Sequence, residues 1–217
     1  MTAGPEGDGT MVEKAENTAA DIAWMRKLAE EGAAAPMQGA SILFAAGLIY
    51  GGASLLHWAQ ITNLVPTIDQ AIGVGWLAAT VLFLVVLFIL IARLKRQGGV
   101  MTASNRASGT AWSALGWGIF ALFASMAVLG WRAGEAGVML GFALIPSVIL
   151  VFYGIGWAIS AAMHRNRMMW WLAIASFIAG PMLAALAGQA EQYLAYAAAL
   201  FLLMALPGWL LMRGARA

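Results

Sequence analysis

The stretch VLFLVVLFILI, from Val81 to Ile91, contains no polar side chain. It lies within a longer apolar segment that runs from Ala71 to Ala92. A helix needs about 20 consecutive apolar residues to cross the hydrocarbon core of a bilayer, and this segment has that length. The sequence therefore predicts a transmembrane helix at this position.

Five other stretches have a similar length and apolar character. The six predicted spans are residues 38–60, 71–92, 111–131, 137–163, 168–188 and 192–212. Because most connections between them are short, consecutive spans are expected to be antiparallel neighbours. The predicted fold is all-α: a polytopic integral membrane protein with six transmembrane helices in antiparallel hairpins, which form one transmembrane domain over residues 38–212.

The composition of the whole chain excludes several other classes of protein. Apolar residues make up 62% of the sequence and charged residues 10%, against about 45–50% and about 25% in soluble globular proteins. Twelve Lys and Arg residues with ten Asp and Glu residues are too few to cover a soluble domain of this size. The chain contains no Cys, which excludes a disulfide scaffold. We therefore expect the lipid bilayer to surround the protein, and we expect no nucleic-acid partner.

Lys and Arg are distributed unequally between the two sides of the predicted bundle. Eleven of the twelve fall in the N-terminal segment, the second and fourth connections or the C-terminal tail, which share one side, and only Arg132 falls on the other. Since cytoplasmic segments carry the excess of Lys and Arg, both termini are predicted to be cytoplasmic. The acidic, polar start of the chain is unlike a cleavable secretory signal. High Ala, Gly and Trp usage without Cys is associated with a bacterial inner (plasma) membrane.

A short helix is predicted ahead of the first span. Residues 1–17 are rich in Gly and acidic side chains and are expected to be disordered. The sequence from Thr18 to Asp21 has the capping-box pattern, so an amphipathic helix is predicted over residues 18–32 on the cytoplasmic side. Its apolar face carries Ile22, Met25 and Leu28.

Two segments of the predicted cytoplasmic side have two open interpretations each. The N-terminal helix either lies on the inner leaflet or docks a cytoplasmic protein, and its mixed charge argues against strong binding to anionic lipid. The connection over residues 93–110 contains Arg93, Lys95 and Arg96. It is either a flexible basic linker that supplies the topology signal or a loop that binds a partner.

The ionisable residues of the membrane region gather near its outer rim, and the midplane of the predicted bundle contains none. The outer-rim polar cluster comprises His57, Asp69, Arg132, Glu135 and Glu191. Proton-coupled transporters and ion pumps usually place an ionisable residue in the core, so the empty midplane argues against both.

A polar strip on the first span runs from Tyr50 through Ser54 to His57. The only other histidine, His164, is predicted at the opposite membrane surface, about 30 Å away, so the two cannot bind one haem iron. No metal-ligand spacing appears elsewhere in the chain. We therefore predict no metal and no cofactor.

Small residues indicate where helices approach each other closely. Gly47 and Gly51 in the first span, and Gly137 and Gly141 in the fourth, have the small-xxx-small spacing. They are predicted helix-packing positions, and the first pair offers a contact for a homodimer.

Proline and tryptophan positions suggest how the later spans pack. Pro146, Pro181 and Pro207 lie in the fourth, fifth and sixth spans, where each removes a backbone hydrogen bond. They are predicted hinges, or simply bends in fixed helices. Trp117 and Trp157 lie deeper in their spans than the other tryptophans and are expected to pack between helices.

Two functions of different class remain open. No catalytic motif is present, so we do not expect an enzyme. The first function is a sensor, regulatory or accessory subunit that meets a cytoplasmic partner. Its predicted partner-binding residues are Ile22, Met25, Leu28, Arg93, Lys95 and Arg96. The alternative is a small-solute permease or channel that uses the proline-bent second half.

The layout also carries a resemblance. Six spans, cytoplasmic termini and a short cytoplasmic N-terminal helix are similar to the layout of bacterial six-span anti-sigma factors, which implies a regulatory role. Those proteins commonly contain cysteines, and this chain has none.

Overall fold

A computed structural model of the protein describes residues 18, 20–26, 37–66, 71–96 and 102–214, without the side chains of residues 133 and 135–140. Six helices in these residues are long and apolar enough to cross a membrane. They are α1 (Ala40–Ile61), α2 (Ala71–Arg96), α3 (Ala103–Arg132), α4 (Gly141–His164), α5 (Arg167–Ala185) and α6 (Glu191–Gly214). The prediction of six apolar helices is confirmed, and the fold is that of a multi-pass membrane protein.

The helices pack in an order that differs from their order along the chain. Helix α1 contacts α2 on one side and α6 on another, and α4 contacts α5. Helix α3 lies against α4, as shown by the packing of the Gly118 backbone against Phe152. The start of α1 reaches the start of α3, where the Gln38 backbone N–H donates to Asn105 Oδ1 at 3.1 Å. Antiparallel hairpins therefore form a bundle in which α1 lies between α2 and α6.

The largest fully buried apolar side chains come from the last three helices. Trp157, Leu150, Met169, Leu200 and Met204 are each at most 1% exposed. The core therefore lies among α4, α5 and α6. Helices α2 and α3 are peripheral and turn many large apolar side chains outward, as expected for surfaces that contact lipid.

The helices extend beyond the predicted apolar spans at the connection over residues 93–110. Helix α2 continues to Arg96 and α3 begins at Ala103, so most of this predicted loop is helical. Basic side chains are favourable in the last turn of a helix because of its dipole. Thr102 caps α3 by accepting the backbone N–H of Asn105 at 3.2 Å. Apolar length marks where a chain prefers lipid, and capping marks where a helix begins.

The predicted connection between the third and fourth spans is also helical. Residues 103–164 are helical on both sides of Gly134. Gly134 alone has non-helical dihedral angles, with φ at 68°. Glycine adopts this left-handed φ without the steric cost that a Cβ brings. The turn between α3 and α4 is therefore made by one residue.

The alternation of helix direction gives the bundle two distinct ends. One end contains the starts of α1, α3 and α5 and the ends of α2, α4 and α6, and we call it the basic end. Its exposed basic side chains form the basic surface. These are Arg93, Lys95, Arg96, Arg106, Arg165, Arg167 and Arg213. At the opposite end, the exposed charged residues with described side chains are Arg132 and Glu191.

Candidate functional site

His57, near the end of α1, is held by aromatic side chains from two other helices. Its Nδ1 accepts a hydrogen bond from Trp76 Nε1 of α2 at 3.0 Å, which requires an unprotonated Nδ1. Its ring stacks on Tyr193 of α6 with 3.7 Å between centroids. His57 therefore joins α1, α2 and α6 at the opposite end of the bundle.

Two other members of the predicted outer-rim cluster lie at the same end of the bundle as His57. Arg132 and Glu191 are exposed at the same end, while Asp69 and the side chain of Glu135 lie outside the described residues. Within the described ranges, no three His, Asp or Glu side chains come together in a way that could hold a metal ion.

The polar strip of α1 lies along its contacts with α2 and α6. Ser54 is fully buried, and its Oγ donates to the backbone carbonyl of Tyr193 at 2.7 Å. The Tyr50 hydroxyl bonds the side chain of Thr80, and the Tyr50 ring packs on Phe83 with centroids 5.3 Å apart. Each polar group of the strip is thus used to attach α1 to a neighbouring helix.

Three tyrosines from different helices lie in or against the buried core, which their spacing in the sequence does not predict. Tyr153 of α4 and Tyr196 of α6 are buried in the core, and Tyr50 of α1 packs against it. Trp112 of α3 packs beside Tyr153 with centroids 6.0 Å apart. Tyrosine is uncharged at neutral pH, so this cluster supplies hydroxyl groups at depth without a charge.

Pro207, one of the predicted hinges, has a partner helix that compensates for its missing N–H. In a regular helix the residue at position 207 would donate to the carbonyl of Leu203, and proline cannot. Trp157 Nε1 of α4 donates to that carbonyl at 2.9 Å. The same region of α6, Phe201–Ala205, forms a π-helical turn. The hydrogen bond from Trp157 therefore holds the bent region of α6 against α4.

Gln192 connects α6 to α4 and α5 at the opposite end, near the other two prolines. Its side chain is 1% exposed, and its Nε2 donates to the carbonyls of Ala143 in α4 at 2.6 Å and Leu183 in α5 at 3.2 Å. Ala143 lies one turn before Pro146, and Leu183 lies two residues after Pro181. Gln192 and Trp157 were not singled out as hydrogen-bond donors from the sequence. The available signal was their polar N–H groups inside otherwise apolar spans.

The packing glycines of α1 lie against α6 of the same chain. A Cβ added to Gly47 would overlap the backbone of Ala205, and one added to Gly51 would overlap the ring of Phe201. Gly141 lies against Met126 of α3, and the surroundings of Gly137 lie outside the described residues. The face of α1 that suggested a homodimer is therefore occupied within the chain.

The predicted partner-binding residues lie at the surface wherever the structure describes them. Ile22 and Met25, on the helical segment 20–26, are 57% and 56% exposed, and Trp24 beside them is 62% exposed. Leu28 lies outside the described residues. The remaining three belong to the basic surface: Arg93, Lys95 and Arg96.

Comparison with known proteins adds no assignment. No family model, no curated protein and no solved structure matches this chain.

Proposed function

We propose that this protein is a non-enzymatic membrane subunit, a sensor, regulator or accessory protein, that meets a cytoplasmic partner through its N-terminal helix and its basic end. The observation that carries the proposal is the exposed apolar group formed by Ile22, Trp24 and Met25 on a helical segment ahead of the bundle. The basic surface provides charged groups at the end of the bundle where α1 begins.

The N-terminal segment has the properties of a docking helix. Burial of a large apolar side chain contributes roughly 1.5–3 kcal/mol, so burial of Ile22 and Met25, which share one face of the helix, is a driving force for association. An amphipathic helix of this kind binds by placing its apolar face in a hydrophobic groove of a partner.

The interior of the bundle supports a role that does not involve transport. The space among α4, α5 and α6 is filled by side chains such as Trp157 and Met204. Trp157 and Gln192 bond backbone carbonyls near Pro207 and Pro146. A solute path through this region would require these contacts to break.

A small-solute permease or channel is the second candidate. The π-helical turn next to Pro207 favours it, because such turns often occur at functional sites and allow a helix to change its register.

The partner is tested with the full-length protein carrying an affinity tag. Proteins crosslinked in cells to the wild type are compared with those crosslinked to the variant Ile22→Asp, Met25→Asp. Leu64→Asp is the matched control, since Leu64 is 65% exposed beyond the end of α1 at the opposite end. A partner that is lost only from the double variant supports the proposal. Identical sets of partners for all three proteins would refute it.

The proposal also places the basic end in the cytoplasm of a bacterial cell and the protein in the plasma membrane. The chain contains no Cys, so single cysteines can be introduced without background. Thr18→Cys is expected to react with an impermeant maleimide only after cells are opened, whereas Leu64→Cys reacts in intact cells. The reverse pattern would invert the topology.

A further inference from the structure

We infer that the basic surface binds the chain's own acid-rich N-terminal segment, residues 1–36, so that an external partner must displace this segment to reach the basic end. The regulatory consequence rests on the proposed function, but the contact within the chain does not.

The basic surface lacks acidic neighbours among the helices that form it. All seven of its Lys and Arg side chains are exposed. The helices α1 to α6 contain only one acidic residue, Glu191, and it lies at the opposite end. The basic end therefore carries an excess of positive charge that no residue of these six helices offsets.

The missing negative charge is found in one part of the sequence. Seven of the ten acidic residues of the chain precede Met37, together with only three basic residues. The other three acidic residues are Glu191, at the opposite end, and Asp69 and Glu135, which follow α1 and α3 in the sequence. Residues 1–36 are thus the only segment of the chain with the charge that complements the basic surface.

The attachment of this segment places it next to the basic surface. Gln38 bonds Asn105, whose neighbour Arg106 is part of the surface. An extended chain spans at most about 3.5 Å per residue, so twelve residues, the separation of Arg26 from Gln38, reach about 40 Å. The surface is therefore within reach of the acidic residues. Since the two are covalently joined, their effective concentration is high, which favours the intramolecular contact over a free acidic partner.

Distance measurement by pulsed electron spin resonance tests the contact in the full-length protein. Spin labels are attached to the double variant Val12→Cys, Ala103→Cys, where Ala103 is an exposed residue at the start of α3. In nanodiscs of a zwitterionic lipid at about 50 mM salt, we expect a narrow distance distribution. At about 1 M salt, where the Debye length falls to about 3 Å, it should become broad and longer.

Matched charge variants separate this contact from general effects of salt. The triple variant Arg165→Gln, Arg167→Gln, Arg213→Gln should broaden the distribution at low salt, and Arg132→Gln should leave it unchanged. On the acidic side, Glu13→Gln with Glu16→Gln should broaden it, and Glu191→Gln should not. A distribution that is the same in all variants, or that responds equally to the Arg132 and Glu191 controls, would overturn the inference.

Anionic lipid is the competing occupant of the basic surface. A narrow distribution in zwitterionic nanodiscs shows that the chain itself suffices. A narrow distribution that appears only when phosphatidylglycerol is added would show that lipid organises this end, and the inference would be overturned. The crosslinking experiment on Ile22 and Met25 does not depend on these results, so failure of either can be recognised separately.

Discussion

At the scale of single residues, Trp157 and Pro207 are coupled through one atom, the carbonyl oxygen of Leu203. Trp157→Phe keeps an apolar ring but removes the donor, which leaves a buried acceptor without its bond to the indole. We expect this to lower the free energy of unfolding by about 1–2 kcal/mol. With Pro207→Ala the backbone N–H at this position is restored, and the cost of Trp157→Phe should decrease.

Unfolding of the four proteins of this double-mutant cycle in detergent measures the coupling directly. Trp117→Phe is the control, since Trp117 is 70% exposed and should contribute little to stability. Strictly additive costs for Trp157→Phe and Pro207→Ala would show that the two residues do not share this carbonyl.

Trp117 and Trp157 show that the sequence of an apolar helix does not predict which of its side chains face the core. Both were expected to pack between helices. Trp157 is fully buried as expected, whereas the expectation for Trp117 is wrong because it points outward. In a soluble protein the polar face of a helix identifies its exposed side. In lipid the outside is as apolar as the core, so an apolar helix gives no such indication.

Gln192 leads to a second prediction at this scale. Gln192→Leu has a similar volume but removes both hydrogen bonds that tie α6 to α4 and α5. The free energy of unfolding should decrease by about 1–2 kcal/mol. Gln189→Leu, in the exposed turn before α6, is the matched control. Equal stability of the two variants in thermal unfolding would contradict a structural role of Gln192.

At the scale of helices, two nearby glycines of α1 should respond in opposite directions to the same substitution. Gly47→Ala places a methyl group against the backbone of Ala205 in α6. Because a backbone cannot rotate away as a side chain can, the two helices would have to move apart. We expect a loss of about 1–3 kcal/mol and a lower Tm. Gly52→Ala meets nothing within 4 Å and should be neutral or slightly stabilising, because alanine favours helix. A Tm that falls equally in both variants would mean that α1 and α6 are not in close contact.

Helix positions could be predicted well from the sequence, and their exact ends less well. The apolar runs locate all six helices. Residues 93–96 and 103–110 of the connection predicted over 93–110 are helical, because capping by Thr102 and the basic last turn of α2 extend the helices past the apolar runs. The glycine spacing of α1 was visible in the sequence, but the helix that uses it, α6, could not be identified. That choice depends on contacts between residues 150 or more positions apart.

At the scale of the whole molecule, the arrangement of α1, α4 and α6 makes the bundle a closed unit. Six apolar helices can be packed in many orders, and only long-range contacts such as those of Ser54 with Tyr193 and Trp157 with Leu203 select one. The sequence could therefore predict a six-helix membrane protein without predicting its packing. It could not indicate that Trp157 would donate to the carbonyl that Pro207 leaves without its helical N–H.

This closure yields the prediction that separates the two proposed functions. Liposomes that contain the purified protein should remain as impermeable to small polar solutes as liposomes without it, because a solute would have to displace Trp157, Gln192 and the packed side chains around them. Pro146→Ala and Pro181→Ala should leave this permeability unchanged. Release of a trapped dye or sugar measures it. A flux that is present in the wild type and reduced in the proline variants would establish the permease and would mean that the bends of α4 and α5 open during transport.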